Sequence, residues 1–350
     1  MHSDTLDGNW IDAFVQVFEL CKLRPEERVV ILSETASRQV NVHLAELALS
    51  RMKTSFFHLR VPSPKPEPGP IIRSSGACLA LTALDQPARD EAVRALAASD
   101  FIVDLTVEGL MHARETGAIL KGGARIMNIS NEHPEALARL VPDLGLKDIV
   151  KDAVAQCRTA ETMTVQSDAG TDLTVAMKGA SSVGIWGWTD RAGTLAHWPA
   201  GIIVSFPTEH SVNGRLVFQP GDMNLTFKRY FESEVIFTLH DDFVTEIGGS
   251  GADARLMRTY LEGFNDRLAF ATSHVGWGLN RGARYEALTM YDKADLNGTE
   301  LRAVAGNFLY STGANEFAGR FTRGHFDLPM MDCTIALDGR AVVDKGELQS

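Results

Sequence analysis

Residues 28–61, RVVILSETASRQVNVHLAELALSRMKTSFFHLRV, decide how the first half of the chain folds. Arg28-Val29-Val30-Ile31-Leu32 is a short unbroken apolar run, the mark of a strand covered on both faces. A helical stretch follows over Val40–Met52, then a second strand near Ser55–Val61. Working outward, Trp10 to Lys22 places Ile11, Phe14, Phe18 and Cys21 at helical spacings of three and four. Further strands at Phe101–Leu105 and Arg125–Ile129 alternate with helices at Glu91–Ala98 and Pro134–Leu140. Strands separated by helices of this length predict an α/β domain with a Rossmann-like parallel sheet over residues 1–160. Neither GxGxxG nor GxxxxGK[ST] follows any of these strands, so the pattern carries no nucleotide signature. The alternating prolines of Pro62–Pro70 predict a surface loop or lid edge.

After a helix near Leu146–Thr159 the texture turns β-rich. Thr162–Gln166 and Asp172–Met177 flank a turn at Ser167-Asp168-Ala169-Gly170, a hairpin pattern. Strands are expected at Gly201–Phe206, Arg215–Phe218, Asn224–Phe231 and Glu234–Leu239, with a helix over Asp253–Leu268. Residues 161–350 therefore read as a second, β-rich α+β domain.

Composition narrows the function. The 350 residues carry 34 Lys+Arg against 45 Asp+Glu, a net charge of −11, with 45% hydrophobic and 23% charged residues. That balance describes a globular chain and argues against a nucleic-acid partner, since phosphate binding depends on an excess of cations. No apolar stretch is long enough to span a bilayer, and the start, Met1 to Asp7, is acidic and polar rather than leader-like. Cys21, Cys78, Cys157 and Cys333 are too scattered for a metal knuckle or a disulfide framework, and read as free thiols of a reducing compartment. A soluble cytoplasmic protein is expected.

HExxH, GxSxG and Cys–His metal spacings are missing. Gly248-Gly249-Ser250-Gly251 lacks a following Lys and reads as a chain turn. His325-Phe326-Asp327 is an HxD: on an extended segment, positions i and i+2 project to one face, so imidazole and carboxylate converge as a metal would require. The spacing alone does not decide, because His2-Ser3-Asp4 and His240-Asp241-Asp242 share it. Ser273–Asn280 (SHVGWGLN) sets His274 in a glycine-rich stretch of the kind that brings backbone close to a ligand. His197-Trp198-Pro199 places a histidine on a rigid turn before a strand, and His112 follows the strand Phe101–Leu105, where open α/β sheets bind ligands. Taken singly, each of these histidines reads more readily as structural.

Gly306–Gly313 (GNFLYSTG), Ser273–Asn280, His197–Gly201 and His325-Phe326-Asp327-Leu328-Pro329, in that set, resemble the bacterial 2,5-dihydroxypyridine 5,6-dioxygenases, relatives of the M29-like metallo-aminopeptidases. The match is dense from about residue 196 to 340 and looser before residue 160. Against the aminopeptidases, His274 stands where a glutamate ligand is expected and Phe308 where a histidine is. The resemblance thus implies a mononuclear site of His274, His325 and Asp327, a set that leaves open positions around Fe(II), with one iron per chain. It implies catalysis by His112, a pocket role for His197, and Glu209 as a remnant ligand outside the metal's direct reach. Ile185 stands where the pyridine-cleaving enzymes carry a pocket glutamate, which would weaken contact to a heteroatom.

The expectation is a ring-cleaving dioxygenase acting with O2 on a hydroxylated N-heteroaromatic, foremost 2,5-dihydroxypyridine to N-formylmaleamate. A homo-oligomer is expected from the relatives. A metal-dependent hydrolase of the aminopeptidase type is the alternative, with Glu209 as its support, and a silent scaffold is the third reading.

Overall fold

The computed structural model describes residues 6–65, 69–70 and 79–349. Five strands form the parallel sheet, in the order Phe56–Val61, Val29–Glu34, Phe101–Asp104, Arg125–Ile129 and Leu195–Trp198. Val29–Glu34 is buried at all of its positions, which explains its unbroken apolar run. Successive side chains point to opposite faces. Val29 and Ile31 join Phe14, Phe18, Val42 and Trp198 in one core, beneath the helices Gly8–Leu20 and Gln39–Arg51. Val30 and Leu32 join Leu96, Ile119 and Ile126 in the other, beneath Gln86–Ala97 and Thr116–Lys121. Each fully buried Val, Leu, Ile or Phe of these layers contributes about 1.5–3 kcal/mol. Asp7, Asp85 and Asp143 cap their helices by accepting backbone N–H groups, which fixes where each begins.

The sheet draws its fifth strand, Leu195–Trp198, from beyond residue 160. Residues 162–348 build an eight-stranded antiparallel sheet and the whole of a second, five-stranded one. The hairpin expected around Ser167–Gly170 is present, with Thr162–Gln166 pairing antiparallel to Asp172–Ala176. The five-stranded sheet runs Arg320–Met330, Phe308–Asn315, Thr272–Gly278, Ile202–Phe206, Ser181–Ile185.

Three expectations need correction. Asn224–Phe231 is not one strand: only Met223–Asn224 and Arg229–Tyr230 pair, across a turn in which Lys228 adopts a positive φ of 51°. The helix expected to reach Leu268 stops at Glu262, and Arg267–Phe270 forms a separate 3-10 turn capped by Asp266. The glycines of Ser273–Asn280 serve strand packing: a Cβ at Gly276 would lie 1.9 Å from the Ile203 carbonyl oxygen. Cys21, Cys157 and Cys333 are buried free thiols, and burial pushes the first two up to about 12 and 11. Cys78 and the middle of the proline segment, like His2 and Asp4, lie outside the described residues.

Candidate functional site

His325 and Asp327 lie two residues apart on the strand Arg320–Met330, opposite Gly313 and Ser311 of the neighbouring strand. Their side chains share one face, as the HxD pattern requires. His274 comes from the next strand over, inside an irregularity between Thr272 and Val275. Such a bulge turns a side chain out of the regular alternation. The Nε2 atoms of His274 and His325 each lie 3.5 Å from Asp327 Oδ1. One potential ligand atom from each of the three falls within 4.8 Å of the others, and all three residues are buried.

This cluster fits a cation better than it fits itself. Asp327 Oδ1 and the Nδ1 atoms of His274 and His325 are buried without a hydrogen-bond partner. Each such orphan costs about 1–3 kcal/mol. Burial pushes His274 down to about 4 and His325 down to about 3, so both imidazoles are neutral at pH 7, as metal ligands must be. Burial also raises the Asp327 carboxyl, but the charges around it, the Arg302 guanidinium foremost, hold the group well below the usual carboxylate range. Arg302 Nε donates to Asp327 Oδ2 at 2.6 Å, leaving Oδ1 aimed at the histidines.

A cavity opens over the cluster. Its apolar wall is Ile185, Ile202, Val204, Phe206 and Leu309, which pack in one cluster; Asn128, Ser130, His197, Thr299 and Arg302 are its polar lining. His112 and Met111 also line it. His112 Nδ1 lies 2.5 Å from Glu316 Oε1, and its ring centroid is 4.8 Å from that of His325. His197 Nδ1 donates to the Pro199 carbonyl at 2.9 Å, so its bare Nε2 is the acceptor. Burial pushes His197 down to about 4, so it remains neutral.

The cavity's loops are tied down by two buried carboxylates at the carboxyl edge of the parallel sheet. Asp104 accepts from Thr106 N and Oγ1, from Leu110 N at 2.7 Å, and from Asn128 Nδ2 at 3.1 Å, which shapes the loop leading to His112. Glu132 accepts from the backbone N–H groups of Asn297, Gly298 and Thr299 at 2.7–2.8 Å. That grip sets the short helix Thr299–Arg302, and with it Arg302 beside Asp327.

A family model described as 2,5-dihydroxypyridine 5,6-dioxygenase matches residues 9–350. The chain belongs to the 2,5-dihydroxypyridine 5,6-dioxygenase family. It is 34% identical over 337 residues to the 2,5-dihydroxypyridine 5,6-dioxygenase of Pseudomonas putida, spanning 96% of this chain and 94% of that protein. The solved structure of the 2,5-dihydroxypyridine dioxygenase from Pseudomonas putida KT2440 superposes with a TM-score of 0.91 at 33% identity, covering 99% of both chains. Wild-type AmpT from Thermus thermophilus shares the fold more distantly, with a TM-score of 0.59 at 13% identity over 96% of this chain and 99% of that one.

Within this dioxygenase-family chain the site gathers His274, His325, Asp327, His112, His197 and Ile185 around one cavity. Glu209 lies elsewhere, exposed in the turn after Ile202–Phe206 and outside the cavity lining. Phe308 is fully buried in the core of the second half. Trp186 and Trp188 flank the Lys147 ammonium, at 5.3 and 4.8 Å, and do not line the cavity wall. Sequence reasoning missed Arg302, Asn128, Ser130 and Thr299. Asn128 and Ser130 follow the rule that placed His112, since they end a parallel strand at its carboxyl edge. Arg302 carried no local signal.

Proposed function

We propose that this chain is a mononuclear Fe(II) ring-cleaving dioxygenase of extradiol type, incorporating both atoms of O2, with 2,5-dihydroxypyridine opened to N-formylmaleamate as its reaction. The observation that carries the reading is the buried His274–His325–Asp327 cluster, with the orphaned Asp327 Oδ1 facing two imidazole nitrogens, set in a cavity that also holds two further histidines. Family membership supplies the reaction class. Fe(II), held by His274, His325 and Asp327, supplies redox chemistry and open coordination positions when bound.

The rest falls to the chain's own side chains. The apolar wall from Ile185 to Leu309 stacks a flat ring and sheds water from it. His112 takes a hydroxyl proton at Nε2, the nitrogen its contact with Glu316 leaves over. His197 accepts a hydrogen bond at Nε2 from a second ring donor without taking the proton, because burial keeps its basicity low. Arg302 holds Asp327 ionised and, as a cavity residue, faces the anionic product. Ile185 offers that ring only apolar contact.

We also place the enzyme in the cytoplasm as a homo-oligomer. Its buried free thiols suit a reducing compartment, and no helix among the described residues is long and apolar enough to cross a membrane. Anaerobic reconstitution with Fe(II), followed by oxygen uptake with a panel of hydroxypyridines, tests the function. Stoichiometric uptake with 2,5-dihydroxypyridine at one iron per chain is expected. Peptide hydrolysis with two zinc-like ions per chain would overturn it.

A further inference from the structure

We propose that Glu316 is a positioning residue for His112: its carboxylate receives the Nδ1 proton and so presents a bare Nε2 to the cavity. The inference rests on the reading of His112 as the proton acceptor.

A neutral imidazole carries one proton, and the hydrogen bond at one nitrogen decides which nitrogen holds it. A carboxylate can only accept, so the Nδ1 atom that faces Glu316 Oε1 at 2.5 Å must carry the hydrogen. Nε2 is then the lone-pair nitrogen. Rotating the ring by half a turn would place a carbon against the carboxylate, so the same contact also fixes the ring's facing. The ring also packs against His325, whose plane is tilted 43° to it at a centroid distance of 4.8 Å. Burial raises the Glu316 carboxyl, yet the His112 hydrogen bond outweighs that and holds the group below its ordinary range, so Glu316 is present as the acceptor.

The placement of Glu316 is itself constrained. It opens the 3-10 turn Glu316–Ala318, directly after the strand Phe308–Asn315 that pairs with the strand of His325 and Asp327. Asn315 fixes that turn by accepting from Ala318 N at 3.1 Å and donating to the Pro207 carbonyl at 3.2 Å. Gly319 ends it with a φ of 68°. The carboxylate therefore moves with the sheet that carries the metal ligands, while His112 belongs to a loop of the other sheet, 204 residues away. Through this contact the histidine is indexed to the ligands instead of to its own loop. The Glu316 side chain is 27% exposed and the His112 side chain 7%, so the contact is shielded mainly on the histidine's side.

The test is a double-mutant cycle on the Fe(II)-loaded enzyme, with iron content and the [15N]histidine spectrum of the metal-free protein as independent readouts. Glu316→Ala should keep iron and leave KM within about twofold, while lowering kcat by about 10–100-fold, less than the loss in His112→Ala. Added to His112→Ala, the same change should cost nothing further, because two residues acting as a unit are non-additive. The spectrum should report an Nδ1–H tautomer for His112 in the wild type and lose it in Glu316→Ala. Glu316→Asp, with the carboxylate retained, should recover part of kcat; Glu316→Gln provides an isosteric variant should the alanine fail to fold. Equal losses in the wild-type and His112→Ala backgrounds, an unchanged tautomer, or wild-type kcat in both Glu316→Ala and Glu316→Gln overturns the positioning role. Wild-type turnover in His112→Ala overturns the underlying reading of His112 instead.

Discussion

The two sheets contribute to the cavity in different ways. From the antiparallel sheet come His274, His325 and Asp327, side chains fixed by strand register and one bulge. From the carboxyl edge of the parallel sheet come His112, Asn128 and His197, which sit on or just beyond strand ends and owe their placement partly to buried carboxylates. Register is rigid because a slip of one residue turns every side chain to the wrong face. Loops held by hydrogen bonds are adjustable. The ligand set is thus built on the stiffer element, and the proton-handling groups on the more tolerant one.

The hardest blow to that contrast falls on the ligands. Alanine at His274, His325 or Asp327 should abolish iron binding and activity with the fold largely kept, checked by metal analysis and circular dichroism. Full iron occupancy in any one of these variants would remove that residue from the set. Next, His112→Ala should keep its iron yet lose about 100–10,000-fold in turnover, the usual range for a general base. Turnover at the wild-type rate would return the residue to a structural role.

A smaller effect is expected where the parallel sheet grips the other half. Glu132→Gln leaves backbone N–H groups of 297–299 facing an amide that satisfies fewer of them. Denaturant unfolding should show a loss of about 3 kcal/mol, and KM should rise as Thr299 and Arg302 shift. An unchanged KM would show that the grip does not shape the cavity.

The mildest test uses pH on the metal-free protein. His197, His274 and His325 lie at about 4, 4 and 3 when folded, below the ordinary histidine value of about 6.5. The unfolded chain therefore binds more protons between those limits, so stability is fully present above about 6.5 and falls as pH drops toward 4. Urea unfolding should give a free energy lower by about 2 kcal/mol or more at pH 5 than at pH 7. A flat profile would mean that the imidazoles reach water.

The sequence announces these two regions unequally. Parallel strands such as Val29–Glu34 are covered on both faces, so their apolar runs stand out. Thr272–Gly278 and Phe308–Asn315 are equally buried, but they are interrupted by glycine, serine, threonine and histidine and lack a strand's usual texture. In the site, the spacing of His325 and Asp327 and the place of His112 after a strand mark them as candidates without deciding their roles, which come through the family resemblance. His274 became a candidate ligand only through the family resemblance, because a bulge leaves no periodic trace. Arg302 and Glu316 act on partners 25 and 204 residues away, and nothing local marks such pairs.

The strand Leu195–Trp198 carries one more consequence, for anyone who would cut or graft this chain. It seals the edge of Arg125–Ile129, a strand buried at every position, before the chain passes within a few residues into Ile202–Phe206 of the other sheet. A fragment ending near residue 160 would bare that apolar edge to other copies and invite strand-to-strand association. The chain enters this strand from Ser181–Ile185 and leaves it for Ile202–Phe206, both of the other sheet, so an exchange of parts between relatives must carry residues 181–206 as a single piece.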